Sequence, residues 1–166
     1  MNKINDLLHG MEIFSYPTKF NDKRGEYFEI FNSEQLVEKE FNIKQISIVK
    51  PTKNSLRGFH GDKGTAKVIS VLSGKFYIAI VDPRENSSTY GKFFEQEISG
   101  KENIALYLPA GLGNGFLALS SNCEYMYIQN TLYGEYKQFT INYLDSTYNV
   151  NWPKRQYIIS KRDQKK

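Results

Sequence analysis

A histidine and an arginine three residues apart are the first candidates for chemistry in this chain of 166 residues. His60 is one of two histidines in the sequence, and Arg57 precedes it in the segment 56–60 (LRGFH). An imidazole exchanges protons near neutral pH, and a guanidinium binds phosphate through paired hydrogen bonds. The pair therefore predicts a general base beside an anion-binding arginine, or else a structural histidine beside a surface arginine.

Further polar side chains stand out on apolar strands. Lys67 shares a strand face with Ile69 and Val71, which is unusual unless that face lines a polar cavity. There the lysine could stabilise a developing oxyanion, and otherwise it extends from the end of its strand to water. Tyr125 and Tyr127 point to the same face of another strand, because side chains alternate. A phenol in this position could be a general acid, or it could be a packing residue with a hydrogen bond at its tip.

Two segments contain glycine in settings that could bind a nucleotide. Residues 20–29 (FNDKRGEYFE) place charges and aromatic rings around a glycine. They could hold a nucleotide, with a ring stacked on the base and Arg24 near a phosphate, or form a plain loop that leads into a strand. The glycine-rich segment 111–115 precedes no helix, so it predicts a tight connection between strands rather than a helix-based phosphate loop.

Composition limits the classes to which the chain could belong. With 40% hydrophobic and 24% charged residues, its length fits one domain, residues 1–166, with a hydrophobic core. No apolar run approaches the roughly 20 residues of a membrane helix, and the N-terminus lacks the apolar region of a signal peptide. We therefore expect a cytoplasmic protein with no membrane partner. The single cysteine excludes an intrachain disulfide, and two histidines argue against a metal site built from several histidines.

The net charge of +4 is unevenly distributed. Residues 151–166 contain six basic residues against one acidic residue, Asp163. A nucleic-acid-binding protein usually spreads its basic residues over a binding face, so we expect no nucleic-acid partner. Charge alone favours a solvated tail for residues 151–166.

The elements that must position these residues are almost all strands. Alternating and β-branched segments between turns predict eight strands, at residues 45–49, 66–72, 76–81, 93–98, 104–108, 115–119, 125–129 and 138–143. The turn at Ser73–Gly74 predicts a hairpin between the second and third of them. Apolar residues near helical spacing in 34–41 (EQLVEKEF), after a candidate cap at Ser33, predict one short helix near the N-terminus. This pattern predicts an all-β fold, either a β-sandwich or a jelly-roll barrel.

Several motifs, taken together and in order, resemble the dTDP-4-dehydrorhamnose 3,5-epimerase family from about residue 20 to residue 163. FNDKRGEYFE resembles the family's F-x-D-x-R-G-F-F-x-E, and LRGFH resembles L-R-G-L-H. AKVISVLSGKFY, VDPRENSSTYGKF and YLPAGLGNGF resemble G-K-L-V-R-V-x-x-G-x-V, V-D-x-R-x-x-S-P-T-F-G-x-W and I-P-x-G-F-A-H-G-F. NVNWP and IISKRD resemble G-I-x-W-P and L-S-x-K-D.

The resemblance implies a jelly-roll (cupin-type) homodimer that uses no cofactor and no metal. Members of the family act on a nucleotide-linked 4-keto-6-deoxy sugar, in the biosynthesis of surface polysaccharides. The C4 ketone acidifies the protons at C3 and C5, so a base can remove one proton and an acid can return a proton to the opposite face. The sequence resemblance thus predicts an epimerase acting at C3, at C5 or at both.

Matching positions carry the family's catalytic roles onto this chain. The resemblance makes His60 the base, Lys67 the group that holds the enolate oxygen and Tyr127 the acid. Asp163 matches the carboxylate that pairs with the base, orienting its ring and raising its pKa. The C-terminal segment 154–166 would then fold back toward the site. Asp145 is a second candidate for that carboxylate.

The resemblance also implies a set of substrate-binding residues. Arg24, Tyr27 and Glu29 belong to an arm that could come from the partner subunit, and Tyr27 is the stacking ring of that arm. The set is Arg24, Tyr27, Glu29, Gln45, Ser47, Arg57, Asn114, Tyr133, Gln138 and Arg162.

Four departures from the family's pattern fall in this pocket. The usual H-Y-Q is here His60-Gly61-Asp62, and Asn114, Ser47 and Gln138 replace a histidine, an asparagine and a glutamate. A conserved catalytic set in a changed pocket predicts the same reaction on an altered sugar or nucleotide. The combination resembles a branch that acts on GDP-linked 4-keto-6-deoxyheptoses in capsule synthesis. A 3,4-ketoisomerase and a non-catalytic nucleotide-sugar-binding barrel are the alternatives.

Overall fold

The computed structural model describes residues 8–15, 19–32, 34, 36 and 39–164, with residue 19 described by its backbone alone. The described residues form thirteen strands. In chain order the strands are β1 (Glu12–Ser15), β2 (Lys19–Asp22), β3 (Gly25–Phe28), β4 (Gln45–Val49), β5 (Ser55–Gly61), β6 (Lys67–Ser73), β7 (Lys75–Val81), β8 (Phe93–Ser99), β9 (Ile104–Leu108), β10 (Gly113–Ala118), β11 (Glu124–Gln129), β12 (Phe139–Thr140) and β13 (Ile158–Ile159).

Two sheets of antiparallel strands pack face to face. The first sheet has the order β1-β9-β6-β11-β4, and the second has the order β12-β5-β10-β7-β8, with β13 added in parallel beside β5. The space between them is filled by residues that alternate toward the core, such as Ile69 and Val71 from the first sheet and Phe76, Ile78 and Phe116 from the second. The hairpin β2–β3 belongs to neither sheet.

Other parts of the chain cover much of the outer faces of both sheets, although Ile46 and Ile48 of β4 stay exposed. Leu36 packs over the first sheet, on a cluster that includes Val68 and Ile128. The C-terminal part covers the second sheet, where Tyr148 and Trp152 pack on Phe59. This packing, with the pairing of β13 on β5, brings the last described residues to the end of β5.

The predicted α-helix at 34–41 is wrong. The described residues of this segment form only short 3₁₀ turns, and Glu40 has a φ of 49°, which no α-helix allows. Eight residues are too few to form a stable helix without strong packing. Among the described residues of the segment, Leu36 is buried in an apolar cluster and Phe41 packs against it. Ser33 and Val37 lie outside the described residues.

The predicted hairpin at Ser73–Gly74 is also wrong, because β6 and β7 lie in different sheets. Gly74 has a φ of 75°, and a Cβ there would lie 2.6 Å from the Sγ of Cys123, so only glycine fits this corner. Both strands are apolar on both faces, so their sequence pattern does not specify a neighbour. The core is instead completed by passing the chain from one sheet to the other.

Six of the eight predicted strands occur with the same bounds or with ends shifted by one residue, and the strand predicted at 115–119 starts two residues earlier. The strand predicted at 138–143 is reduced to β12. The strands β1, β5 and β13 and the hairpin β2–β3 were not predicted as strands. Among the residues described, no helix has the length and apolar character needed to cross a membrane.

Candidate active site

A cavity of about 240 Å³ opens between the two sheets and gathers most of the predicted site residues. Its wall is built from residues of β4, β5, β6, β10 and β11, together with the loop after β11 and one C-terminal residue. Ten predicted residues line it: Gln45, Ser47, Arg57, His60, Lys67, Asn114, Tyr127, Tyr133, Gln138 and Arg162.

A buried carboxylate stands directly behind His60. The Oδ1 atom of Asp163 lies 2.5 Å from His60 Nε2, and the hydroxyl of Ser160 donates to Asp163 Oδ2 at 2.9 Å. Asp163 is 2% exposed, so few other partners can reach it. A carboxylate can only accept, so Nε2 carries the proton and the free lone pair of the ring is on Nδ1. Asp145, the second candidate, instead accepts from the backbone N–H of Thr147.

Several effects act on the pKa of the His60 imidazole. Burial lowers it, Asp163 raises it, and the positive charges of Arg162 and Lys67 lower it again. The net direction is downward. The carboxylate therefore acts in the expected direction, but burial outweighs it. A histidine with a lowered pKa is neutral at neutral pH, which is the state that a base requires.

Lys67 begins β6 on the core-facing side and is 9% exposed. It shares this face with Ile69 and Val71, as the alternation of the sequence predicted. Its Nζ donates to Asn114 Oδ1 at 3.1 Å. Burial lowers the pKa of the lysine, and the charge of Asp62 partly opposes this shift. A cation held in a dry wall can stabilise an oxyanion strongly, because water screens it little.

Tyr127 projects from β11 into the same space. Its ring packs edge-on against that of Tyr125, with 4.8 Å between ring centroids, as expected for two tyrosines on one strand face. Asn114 Nδ2 lies 3.4 Å from its hydroxyl oxygen. Burial raises the pKa of Tyr127 to about 12, while Asn114 and Arg57 oppose that shift. The phenol is therefore protonated at neutral pH and can donate a proton.

The base candidate and the acid candidate come from opposite sheets. His60 lies on β5 in the second sheet, and Tyr127 lies on β11 in the first. Asn114 is the register partner of His60 across β5 and β10, and it also contacts Lys67 and Tyr127. A flat ligand held between the sheets would thus meet the imidazole on one face and the phenol on the other.

Positive charge dominates the wall of the cavity. Arg57 stacks over the ring of Phe116, with its guanidinium carbon 5.8 Å from the ring centroid. Arg162 donates to the side chains of Gln138 and Thr140, both neutral, at 3.1 Å and 3.0 Å. With Lys67, the wall holds three cations and, among its described lining residues, no carboxylate. Such a wall favours an anionic ligand.

A second group of polar residues shapes the mouth. The side chain of Gln45 donates to Ser47 Oγ at 2.9 Å and accepts from the backbone N–H of Tyr133 at 2.7 Å. These bonds tie the loop after β11 to β4. The ring of Tyr133 is 70% exposed and stands at the cavity's edge, where a flat group could stack on it.

Three predicted binding residues do not line this cavity. Arg24 and Tyr27 lie on the hairpin β2–β3, and Glu29 follows it. Arg24 pairs with Asp22 at 2.5 Å, and Tyr27 is 62% exposed with its ring tilted on Phe20. Within one chain, therefore, this arm is separate from the other ten residues.

The relation to known proteins agrees with this geometry. The family model of dTDP-4-dehydrorhamnose 3,5-epimerase matches residues 7–166. The chain belongs to this family. The predicted family and the predicted enzyme class, an epimerase, are both confirmed.

Individual relatives in this epimerase family resemble the chain over most of their length. The dTDP-4-dehydrorhamnose 3,5-epimerase of Shigella flexneri is 30% identical over 169 residues, covering 98% of this chain and 93% of that protein. A 3'-monoepimerase from Streptomyces bikiniensis, solved with dTDP-quinovose, has a TM-score of 0.87 at 28% identity, covering 94% and 82%. A 3,5-epimerase from Legionella pneumophila, solved with dTDP-4-keto-L-rhamnose, has a TM-score of 0.83 at 27% identity, covering 92% and 89%.

These matches bear on two of the expectations from the sequence. The all-β jelly-roll fold is confirmed, apart from its predicted helix. The relatives above are named for dTDP-linked sugars or solved with them, so they give no support to the GDP-heptose branch.

Three lining residues were not identified from the epimerase's sequence: Val49, Phe116 and Gln129. Val49 shares its strand face with Ser47, and Gln129 shares its face with Tyr127, so alternation along β4 and β11 could have found both. Phe116 lies two residues after Asn114 on β10, so alternation could have found it as well; the bulge in the pairing of β10 with β5 adds its extra residue to β5, between Arg57 and His60.

Proposed function

We propose that this epimerase inverts C3, or both C3 and C5, of a dTDP-linked 4-keto-6-deoxy hexose. The observation that carries the proposal is the location of a carboxylate-backed histidine and a protonated tyrosine on opposite walls of one cavity, with a buried lysine beside the tyrosine. The dTDP-linked sugars named for the relatives supply the substrate class.

The first step removes a proton from carbon. His60 Nδ1 takes the proton at C3 or C5, and the electron pair of the C–H bond moves toward the C4 carbonyl to form an enolate. Lys67 holds the oxygen of the enolate, and Asp163 stabilises the imidazolium that results. Because the pKa of His60 is lowered, the base is free at neutral pH, and activity falls as the pH drops through that lowered value.

The second step returns a proton to the opposite face. Tyr127 gives its hydroxyl proton to the carbon, and the enolate collapses back to the ketone. The phenolate then takes a proton from water, and the imidazolium releases its proton to water, so the enzyme is restored without any net redox change. Separate proton donors and acceptors on two walls are what an inversion requires, since a single group would return the proton to the same face.

Binding follows from the remaining charges. We assign the diphosphate of the nucleotide to Arg57 and Arg162, and the base to a stacking ring such as Tyr133 at the mouth. The C-terminal segment 154–166 is then part of the active site in a single domain. The arm with Arg24, Tyr27 and Glu29 would complete the site of a partner subunit in a homodimer.

The experiment that tests this proposal is an incubation of the purified protein with two substrates in deuterium oxide. dTDP-4-keto-6-deoxyglucose and a GDP-linked 4-keto-6-deoxyheptose are each followed by proton NMR. The proposal expects loss of the C3 signal, with or without the C5 signal, retention of the C4 ketone and inversion of the dTDP sugar. A shift of the carbonyl to C3 would indicate a ketoisomerase. Binding without exchange would indicate a non-catalytic barrel, and turnover of the GDP sugar alone would overturn the assigned nucleotide.

A further inference from the structure

Asn114 is the one side chain with a hydrogen bond to both the lysine and the tyrosine among the described residues of the site. It is 5% exposed, accepts from Lys67 Nζ at 3.1 Å and has its Nδ2 atom 3.4 Å from the Tyr127 hydroxyl oxygen. The family resemblance assigns Asn114 only to substrate binding. A buried carboxamide whose oxygen contacts one reacting group and whose nitrogen contacts another can also orient those groups.

Lys67 fixes the direction in which the carboxamide points. An ammonium group has three donors and no acceptor, so the amide oxygen of Asn114 must face it. The amide N–H₂ must then face Tyr127, where it donates to the phenol oxygen. Since that oxygen already accepts one hydrogen bond, its own O–H is directed elsewhere, and the open direction is the cavity. The same N–H bond stabilises the phenolate left after proton transfer, because hydrogen bonds to a charged acceptor are the stronger ones.

The choice of residue also matters for charge. A carboxamide has no charge at any pH of interest, so it bridges Lys67 and Tyr127 without neutralising the lysine. A carboxylate at this position would pair with Lys67 and would accept the tyrosine proton. An apolar side chain would remove the hydrogen bond of Asn114 from both groups in a buried wall, which is unfavourable for each.

We propose that Asn114 is a positioning residue that aims the Tyr127 proton into the cavity while leaving the charge of Lys67 free for the enolate. This inference rests on the proposed epimerase function for its kinetic consequence, but the state of Tyr127 can be measured without substrate. Burial raises the pKa of Tyr127, and Asn114 lowers it, which agrees with a donor aimed at the phenol oxygen.

The kinetic test compares inversion with solvent exchange in the same reaction. Exchange needs His60 and Lys67, whereas inversion also needs Tyr127, so the ratio of the two rates isolates the proton donor. Asn114→Leu removes both hydrogen bonds, and we expect the ratio to fall about tenfold, the effect of about 1.4 kcal/mol in one barrier. Asn114→His has one donor and one acceptor at similar spacing, and we expect it to restore the ratio to within about threefold of wild type, or about 0.6 kcal/mol.

The matched control is Asn130→Leu. Asn130 accepts from the backbone N–H of Ala66, next to Lys67, and does not line the cavity. The Asn130→Leu variant therefore loses a structural hydrogen bond of an asparagine close to Lys67, without changing the cavity wall. We expect lower stability with an unchanged ratio of inversion to exchange. An equal fall of the ratio in Asn114→Leu and Asn130→Leu would reduce Asn114 to a structural residue and overturn the proposal.

The second test needs no substrate. Tyrosines are replaced by 3-fluorotyrosine, which is more acidic, and the ¹⁹F resonance of residue 127 is assigned from its loss in Tyr127→Phe. We expect residue 127 to ionise at a higher pH in Asn114→Leu than in the wild-type sequence. If Asn114→Leu does not fold, Asn114→Ala gives the same reading, because it also has no N–H for the phenol and places no charge beside it.

The two tests separate the possible failures. An unchanged titration of residue 127 in the folded variants overturns the role of Asn114 whatever the substrate is. If residue 127 ionises at a higher pH in the Asn114 variants but the wild-type protein neither exchanges nor inverts the dTDP sugar, the role of Asn114 is supported and the proposed function is rejected.

Discussion

Replacing Asp163 by asparagine exchanges one carboxylate oxygen for an N–H₂ group and tests the pairing with His60. The carboxylate accepts twice, from His60 Nε2–H and from the Ser160 hydroxyl. An asparagine has one acceptor oxygen and one N–H₂ group at these two places. If the oxygen keeps Ser160, the N–H₂ group faces His60 Nε2 and places the proton of the ring on Nδ1, which is the atom that must accept. If the oxygen keeps His60, the negative charge that stabilises the imidazolium is still lost.

The expected magnitude follows from the loss of one charged hydrogen bond. Such bonds are worth about 1.5–3 kcal/mol, and about 1.4 kcal/mol is a factor of ten in rate. We therefore expect Asp163→Asn to lower both exchange and inversion by roughly 10- to 150-fold. The pKa of His60 should also fall, because Asp163 is one of the groups that raise it. The acid limb of the rate profile should accordingly move to lower pH.

The assay is deuterium incorporation by proton NMR across a pH series, on wild type, Asp163→Asn and Asp145→Asn. Asp145 is the matched control, because the same chemical change falls there on a carboxylate that accepts from the backbone of Thr147 and does not line the cavity. We expect Asp145→Asn to behave as wild type. The reasoning is refuted if Asp163→Asn turns over normally, or if its rate falls with no movement of the acid limb.

Three other predictions concern the tail and the core. Truncation after Ile159 removes Asp163 and should lower turnover at least about tenfold, while circular dichroism and the thermal transition show a folded protein. Tyr125→Phe should leave the free energy of unfolding unchanged or raise it by about 1 kcal/mol in chemical denaturation, because the buried Tyr125 hydroxyl has no hydrogen-bond partner among the described residues. Asp82→Asn should lower the free energy of unfolding by about 3 kcal/mol at neutral pH. Burial raises the pKa of Asp82, but hydrogen bonds from Arg84, Ser87 and Thr89 hold that pKa well below its usual value. The stability that the carboxylate contributes is therefore present above about pH 4 and is lost as the pH falls further. The difference in the free energy of unfolding between variant and wild type should narrow below that pH.

Alternation along the strands made the prediction of the fold class and of most of the cavity wall possible. Side chains two apart must share a face, so Lys67 with Ile69, and Tyr125 with Tyr127, could be grouped from their spacing alone. The same rule holds for Ser47 and Val49. These are local properties of the backbone, and tertiary contacts do not change them.

The errors arose where tertiary packing decides. The turn at Ser73–Gly74 is compatible with a hairpin or with a passage between sheets, and only the filling of the core selects the second. The contact between Asp163 and His60 spans 103 residues, so no local pattern could show it, and charge alone made the tail look solvated. The family resemblance supplied that expectation. The bridge through Asn114 depends on how β10 of the second sheet packs against β6 and β11 of the first, which sequence patterns do not specify.

The central claim, that His60 and Tyr127 act on opposite faces of one substrate, is tested most directly by following exchange and inversion together in deuterium oxide. With dTDP-4-keto-6-deoxyglucose, the wild-type protein should incorporate deuterium and invert the same carbon. Tyr127→Phe should still incorporate deuterium but invert poorly, since the proton then returns from the face of His60. His60→Ala should lose both by about 10²-fold or more. Equal loss of exchange and inversion in Tyr127→Phe, or near-normal exchange in His60→Ala, would contradict the account.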